Sequence, residues 1–134
     1  MKRLLWACAA VLALAVPAAG FAHHAFSAEF DREKPIEVTG TVTKVEWMNP
    51  HARIYVDAPD PDLDNEVVNW DFELGTPNNL MRQGWTRSSL QAGQNVTVNG
   101  WRARNHPHVA NARTVTGEDG KPLFAGSSGE QESQ

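Results

Sequence analysis

The sequence has little cysteine and no excess of positive charge. Its single cysteine, Cys8, lies in an N-terminal apolar run, so the remaining chain has no thiol for a disulfide bond or a cysteine-based zinc site. Acidic residues outnumber basic ones, 16 against 12, and the formal net charge is −4. Because phosphate binding needs a positive face, we predict that the protein has no nucleic-acid partner.

Motifs of catalysis are missing as well. The sequence contains no Ser-His-Asp pattern and no glycine-rich phosphate loop. Asp71 and Glu73 are close in sequence, but an acidic chain holds many such pairs by chance, so they do not indicate glycoside cleavage. We therefore predict a protein that is not an enzyme. A copper oxygenase is the alternative, because it would share the N-terminal histidine ligand discussed below.

Residues 1–22 have the three parts of a secretory signal peptide. Lys2 and Arg3 supply positive charge, residues 4–16 are apolar, and small residues follow up to a cleavage site before His23. The apolar run is too short for a stable membrane span. We predict export to the periplasm and no membrane insertion after cleavage, with an uncleaved N-terminal anchor as the alternative.

Alternation of apolar and polar residues predicts a β domain at residues 36–125, between an extended arm at 23–35 and a disordered polar tail at 126–134. The five predicted strands cover residues 36–47, 51–57, 68–74, 94–101 and 109–115. In the first strand, Val42 and Trp47 have opposite parity, so a bulge near Lys44 would place both on one face. Gly40 is a further candidate for a bend or bulge.

One short helix is predicted between the third and fourth strands. Thr76 suits the N-cap, Pro77 suits the first helical position, and Gly84 can end the helix. This order fits an all-β fold, a small five-stranded OB-like Greek-key barrel with one short helix between strands 3 and 4. A flat antiparallel sheet covered by the helix is the alternative, although it would leave two bare edges.

The histidines are candidate metal ligands, and all five lie beyond the predicted cleavage site. If cleavage exposes His23, its α-amine and imidazole form a chelate that suits Cu(II), and His51 would complete a three-nitrogen site. His24, His106 and His108 are reserve ligands. Cleavage one residue earlier would create an amine, amide and imidazole chelate instead. The alternative is that none of the five binds metal. His23 and His24 would then be a polar chain start, His51 a turn residue, and His106 and His108 loop residues.

Two aromatic residues are candidates for a different kind of binding. Trp101 has the opposite parity to Val98, which indicates exposure, whereas Trp70 shares the parity of the core. A barrel face formed by Tyr55, Trp101 and the loop at 102–108 would contact cell-envelope glycans or an envelope protein without metal. The leading hypothesis is therefore a periplasmic copper-binding domain, and a glycan- or protein-interaction module is the alternative.

The chain resembles an uncharacterised family of short exported bacterial proteins, a domain of unknown function. The resemblance lies in a His-His-x-Phe start after the signal peptide and in an Asn-Pro-His-Ala block, which is the most specific part. The similar segments are residues 23–26, 29–31, 40–47, 49–52, 84–85, 110–113 and 124–128. The resemblance implies export and a single small β domain, but no activity. His106-Pro107-His108 departs from the Gly, Ser and Asn that the family pattern leads us to expect there.

Overall fold

The computed structural model of the protein describes residues 25–125. The predicted signal peptide, His23, His24 and the predicted disordered tail lie outside the described residues. Residues 25–29 are helical. They are followed by β1 (Phe30–Glu46), β2 (Arg53–Asp60), β3 (Glu66–Glu73), α1 (Pro77–Arg82), β4 (Asn95–Ala103), β5 (Val109–Gly117) and β6 (Pro122–Ala125). Within 25–125, no helix is long and apolar enough to span a membrane.

Five of the six strands close into a ring, and the predicted β-rich class is confirmed. β1 pairs with β2 and with β4, β2 pairs with β3, and β4 pairs with β5, all antiparallel. Parallel pairing of Asp71–Glu73 with Val109–Asn111 joins β3 to β5 and completes the ring. β6, which the sequence analysis missed, is only four residues long and pairs with the second half of β5.

β1 is longer than the sequence predicted. It begins at Phe30, so the second half of the predicted arm is strand, and Phe30 pairs with Ala103 of β4. The predicted bulge is confirmed, because the register between β1 and β2 shifts between Val42 and Lys44. Gly40 lies in regular register with β4, so no bulge forms there in this pairing, and the alternative of a bend at Gly40 stays a prediction.

α1 forms where the sequence placed it, and its N-cap is made by Thr76. The Thr76 hydroxyl accepts a hydrogen bond of 3.2 Å from the Asn79 amide, which would otherwise have no partner in the first turn. Leu80 is fully buried against the core inside the ring, whereas Met81 is 53% exposed. The helix therefore has a narrower apolar side than predicted, and Met81 faces outward.

Replacing Thr76 with alanine is expected to lower the free energy of unfolding by about 1 kcal/mol, because the Asn79 amide loses its acceptor. Thr76→Ser keeps the hydroxyl and is the matched control, with little change expected. Chemical denaturation followed by tryptophan fluorescence measures both. Equal stability of Thr76→Ala and the wild type would show that the cap contributes nothing.

The apolar side chains form two clusters. The main core fills the ring and includes Trp70, Phe72 and Ile54, each of which is fully buried. A smaller cluster, centred on Phe26 and Phe30, packs the N-terminal helical segment against the end of β4. This second cluster fixes the start of the described chain beside the connection between β4 and β5.

Candidate functional site

Charged side chains meet at the end of the ring where β2 and β4 stop. Asp60 is the last residue of β2 and is only 2% exposed, because strand alternation turns it to the same side as Val56 and Ala58. Arg102 Nη2 lies 2.7 Å from Asp60 Oδ1 and 3.1 Å from Asp62 Oδ2. The Asp62 amide also donates to Asp60 Oδ1, at 2.9 Å.

The aromatic side chains of Trp70 and His108 complete this group. We call it the mouth cluster (Asp60, Asp62, Trp70, Arg102 and His108). His108 Nε2 lies 3.6 Å from Asp60 Oδ2, and the His108 ring meets Trp70 edge-on at 5.6 Å between centroids. The Arg102 guanidinium lies 4.8 Å from the centre of the Trp70 ring. Trp70 Nε1 is buried without a hydrogen-bond partner among residues 25–125.

The mouth cluster is held together by charge. Burial alone raises the pKa of Asp60, but hydrogen bonds from Arg102 and the Asp62 amide outweigh it and hold that pKa below its ordinary value. Because Arg102 already neutralises Asp60, a metal cation at His108 would face a guanidinium at close range. The cluster therefore closes this end of the ring and is a poor place for a metal.

A groove of about 730 Å³ lies at the same end of the ring. It runs between the start of β1 and the β4–β5 connection, and its lining includes Lys34, Asp62 and His106. A smaller hollow nearby is lined by Ala25, Ala28, Glu29, Asn105 and His106. The start of the described chain therefore lies directly beside His106.

Arg104 joins the N-terminal segment to this loop. Its backbone amide donates to the Glu29 carbonyl at 2.8 Å, and its Nε donates to the Ser27 carbonyl, also at 2.8 Å. Its Nη1 lies 3.1 Å from Asp31 Oδ2. These three contacts hold residues 27–31 against the β4–β5 connection, so Ala25 and His106 keep their relative positions.

His51 lies elsewhere. It follows the cis Asn49-Pro50 bond ahead of β2, and its Nδ1 is 3.4 Å from Glu73 Oε1. Glu73, the partner of His51, pairs with Arg53, the first residue of β2. His108 instead approaches Asp60, the last residue of β2. These positions are separated by roughly 23 Å of strand.

The described histidines therefore do not converge as the sequence analysis required of a shared site. No group of three or more His, Cys, Asp or Glu residues within 25–125 could hold a metal ion. His106 is exposed and lines the small hollow, His108 belongs to the mouth cluster, and His51 contacts Glu73. Ligation by His23 or His24 stays a prediction, because both lie outside the described residues.

Tyr55 and Trp101 lie on separate surfaces. Tyr55 pairs with Lys44 and Trp101 pairs with Pro35, which are nine positions or roughly 30 Å apart along β1. The Tyr55 hydroxyl donates to Glu46 at 3.0 Å, and burial together with this bond raises the pKa of Tyr55. The single aromatic face expected from the sequence is therefore not formed.

Trp101 is less exposed to solvent than its position in the strand alternation predicted. It is half-buried, with the edge of the Phe26 ring 5.9 Å away between centroids. The guanidinium groups of Arg32 and Arg113 lie 5.2 and 5.7 Å from its ring. Its role as a stacking platform for a glycan stays a prediction.

Residues 10–111 match the model of a family described as a family of unknown function (DUF6152). No curated protein and no solved structure matches the chain.

Proposed function

Because the chain belongs to the DUF6152 family, whose function is unknown, we propose a function from its own residues: a periplasmic domain that binds Cu(II). The α-amine and imidazole of His23 supply two ligands, and His106 supplies the third. The observation that carries the proposal is that Ala25 and His106 line the same hollow. His24 is the reserve ligand at the N-terminus.

Chain length supports His106 as the partner of the N-terminus. His23 is two residues ahead of Ala25, a reach of at most about 7 to 8 Å. The Arg104 contacts hold residues 27–29, so the described part of the chain begins beside the loop. An amine and two imidazoles give the nitrogen-rich ligand set that Cu(II) prefers.

The order of the strands supports the same location. We propose that the ring is a barrel of the OB type, since five strands close in the order β1-β2-β3-β5-β4 and α1 lies between β3 and β4. Barrels of this type bind ligands with the loops β1–β2 and β4–β5 and with the face of strands 2 and 3. His106 lies in the β4–β5 loop, so a ligand there fits that pattern.

A Cu(II) titration of the chain that begins at His23 tests the proposal, with calorimetry and paramagnetic resonance read together. We expect one-to-one binding with a nitrogen-rich spectrum and an affinity at least about tenfold lower in His106→Ala, because one of three ligands is lost. His51→Ala is the matched control and should bind like the wild type. Affinity should fall between roughly pH 6.5 and 5, since imidazoles bind metal only when deprotonated.

Two outcomes would overturn this arrangement. Unchanged affinity in His106→Ala together with a loss in His51→Ala would return the third ligand to His51. Unchanged affinity after a methionine is added ahead of His23 would show that the terminal amine is not a ligand. The metal-free glycan or protein module stays the alternative, and Tyr55 is its better probe because the Trp101 ring already contacts Phe26 and Arg32.

A further inference from the structure

A second hollow, with no residue in common with the groove, lies beside α1. Its volume is about 700 Å³, which is within the range of sites for small organic ligands. The walls are the side chains of Trp47, Met81 and Trp85, and the rim is the turn at residues 86–88. His51, His106 and His108, the histidines within residues 25–125, do not line it.

The apolar walls are held in place from behind. Trp85 is 5% exposed, and its indole N–H donates to the carbonyl of Leu123. Trp47 packs against the main core, while Met81 leaves more than half of its surface exposed. The two indoles are therefore preset, and the flexible methionine can adjust to an occupant.

Arg87 supplies a positive charge at the rim. It is exposed, and within residues 25–125 it forms no ion pair, in contrast to Arg53 and Arg102. The turn around it is ordered, because the Thr86 amide donates to Ser89 Oγ at 2.8 Å and the Thr86 and Ser88 hydroxyls lie 3.0 Å apart. An unpaired guanidinium next to an apolar hollow is complementary to an apolar molecule that carries a carboxylate.

We propose that this hollow binds a small amphipathic carboxylate. The apolar body, a ring or a short alkyl chain, lies against Trp47, Met81 and Trp85, and the carboxylate pairs with Arg87. The proposal goes beyond the copper function and shares no residue with it, so either can fail without the other.

Three probes with the same apolar body separate the contributions of charge and of apolar contact: 4-phenylbutyrate, 4-phenylbutanol and 4-phenylbutylamine. Binding is followed in the full chain by NMR, through the indole N–H signals of Trp47 and Trp85. We expect the butyrate to bind at least about tenfold more tightly than the amine, with the alcohol between them. Trp47→Ala should weaken all three probes.

The variant Arg87→Gln should bring the three affinities together without changing the fold, because Arg87 is exposed. Lys34→Gln removes the same charge from the groove and is the matched control, with the order of affinities retained. Equal binding of the butyrate and the amine by the wild type would overturn the proposal. Signal changes at Trp70 or Trp101 instead of Trp47 and Trp85 would do the same.

Discussion

Replacing Arg102 with alanine is expected to lower the free energy of unfolding by about 3–5 kcal/mol, the usual loss when one partner of a buried ion pair is removed. Arg102 is the cation for both Asp60 and Asp62, and Asp60 is almost fully buried. Without Arg102, Asp60 keeps the cost of burial and loses its strongest partner. Guanidinium denaturation followed by tryptophan fluorescence measures the loss.

A matched pair of variants makes this result specific. Lys44→Ala breaks the exposed pair with Glu46 and should change stability little, because such pairs are screened by water. The double variant with Asp60→Ala and Arg102→Ala should lose less free energy of unfolding than the sum of the losses in the two single variants, because the two side chains interact. A loss below about 1 kcal/mol for Arg102→Ala would mean that the pair is not a buried one.

The Arg102→Ala variant should also differ from the wild type in how its free energy of unfolding depends on pH. The pKa of Asp60 is lowered on folding, so its contribution is complete above the ordinary value of 3.8 and is lost as the pH falls through the folded pKa. In Arg102→Ala, the Asp62 amide and His108 still oppose burial but Arg102 no longer does, so the pKa of Asp60 is higher than in the wild type and Asp60 adds less stability as the pH rises. The difference in stability between wild type and variant should therefore be larger at pH 7 than at pH 4.

Replacing Gly40 with alanine is expected to lower the free energy of unfolding by about 1–3 kcal/mol, because β2 leaves no space for a methyl group at this position. A Cβ at Gly40 would meet the carbonyl oxygen of Asp57 and would lie 2.7 Å from the Cβ of Ala58. Both neighbours belong to β2, whose backbone is paired with β3 and cannot move freely. Thermal or chemical denaturation of the variant gives the loss.

Gly117→Ala is the control for this prediction, because Gly117 is also a strand glycine. A Cβ there would lie 3.3 Å from Oδ1 of Asp119, an exposed side chain that needs to shift only slightly to relieve the contact. We expect a change within about 0.5 kcal/mol. Equal losses in the two variants would show that the effect comes from alanine in a strand and not from the contact with β2.

Much of the fold could be predicted because its signals are local. Ile54 and Val56 alternate with polar residues, which is the local pattern of a strand. Thr76 followed by Pro77 is a local signal for the start of a helix. The start of β1 could not be predicted, since the four residues 31–34 are all charged and show no alternation of apolar and polar side chains. The segment is bounded by Phe30 and Pro35, which pair with Ala103 and Trp101 of β4 across an irregular register, and no local pattern records these long-range pairings.

The candidate site depended still more on distant partners. The second predicted strand ended at residue 57 and left Asp60 outside it, although Asp60 shares the parity of Val56 and lies on the core side of β2. Its partner Arg102 is 42 residues away, and no local signal selects it from the other cations. The sequence favoured His51 over His106 as the third ligand, and only the contacts of Arg104 show that residues 27–31 lie beside the loop that holds His106.

The double pairing of β1 also determines when the ring can form. Phe30 pairs with Ala103, so the first strand remains without a partner along its first half until most of the chain is present. Domains whose contacts join distant residues fold slowly, in milliseconds to seconds. The ring of a newly made chain therefore stays open until the last third of the chain has been synthesised.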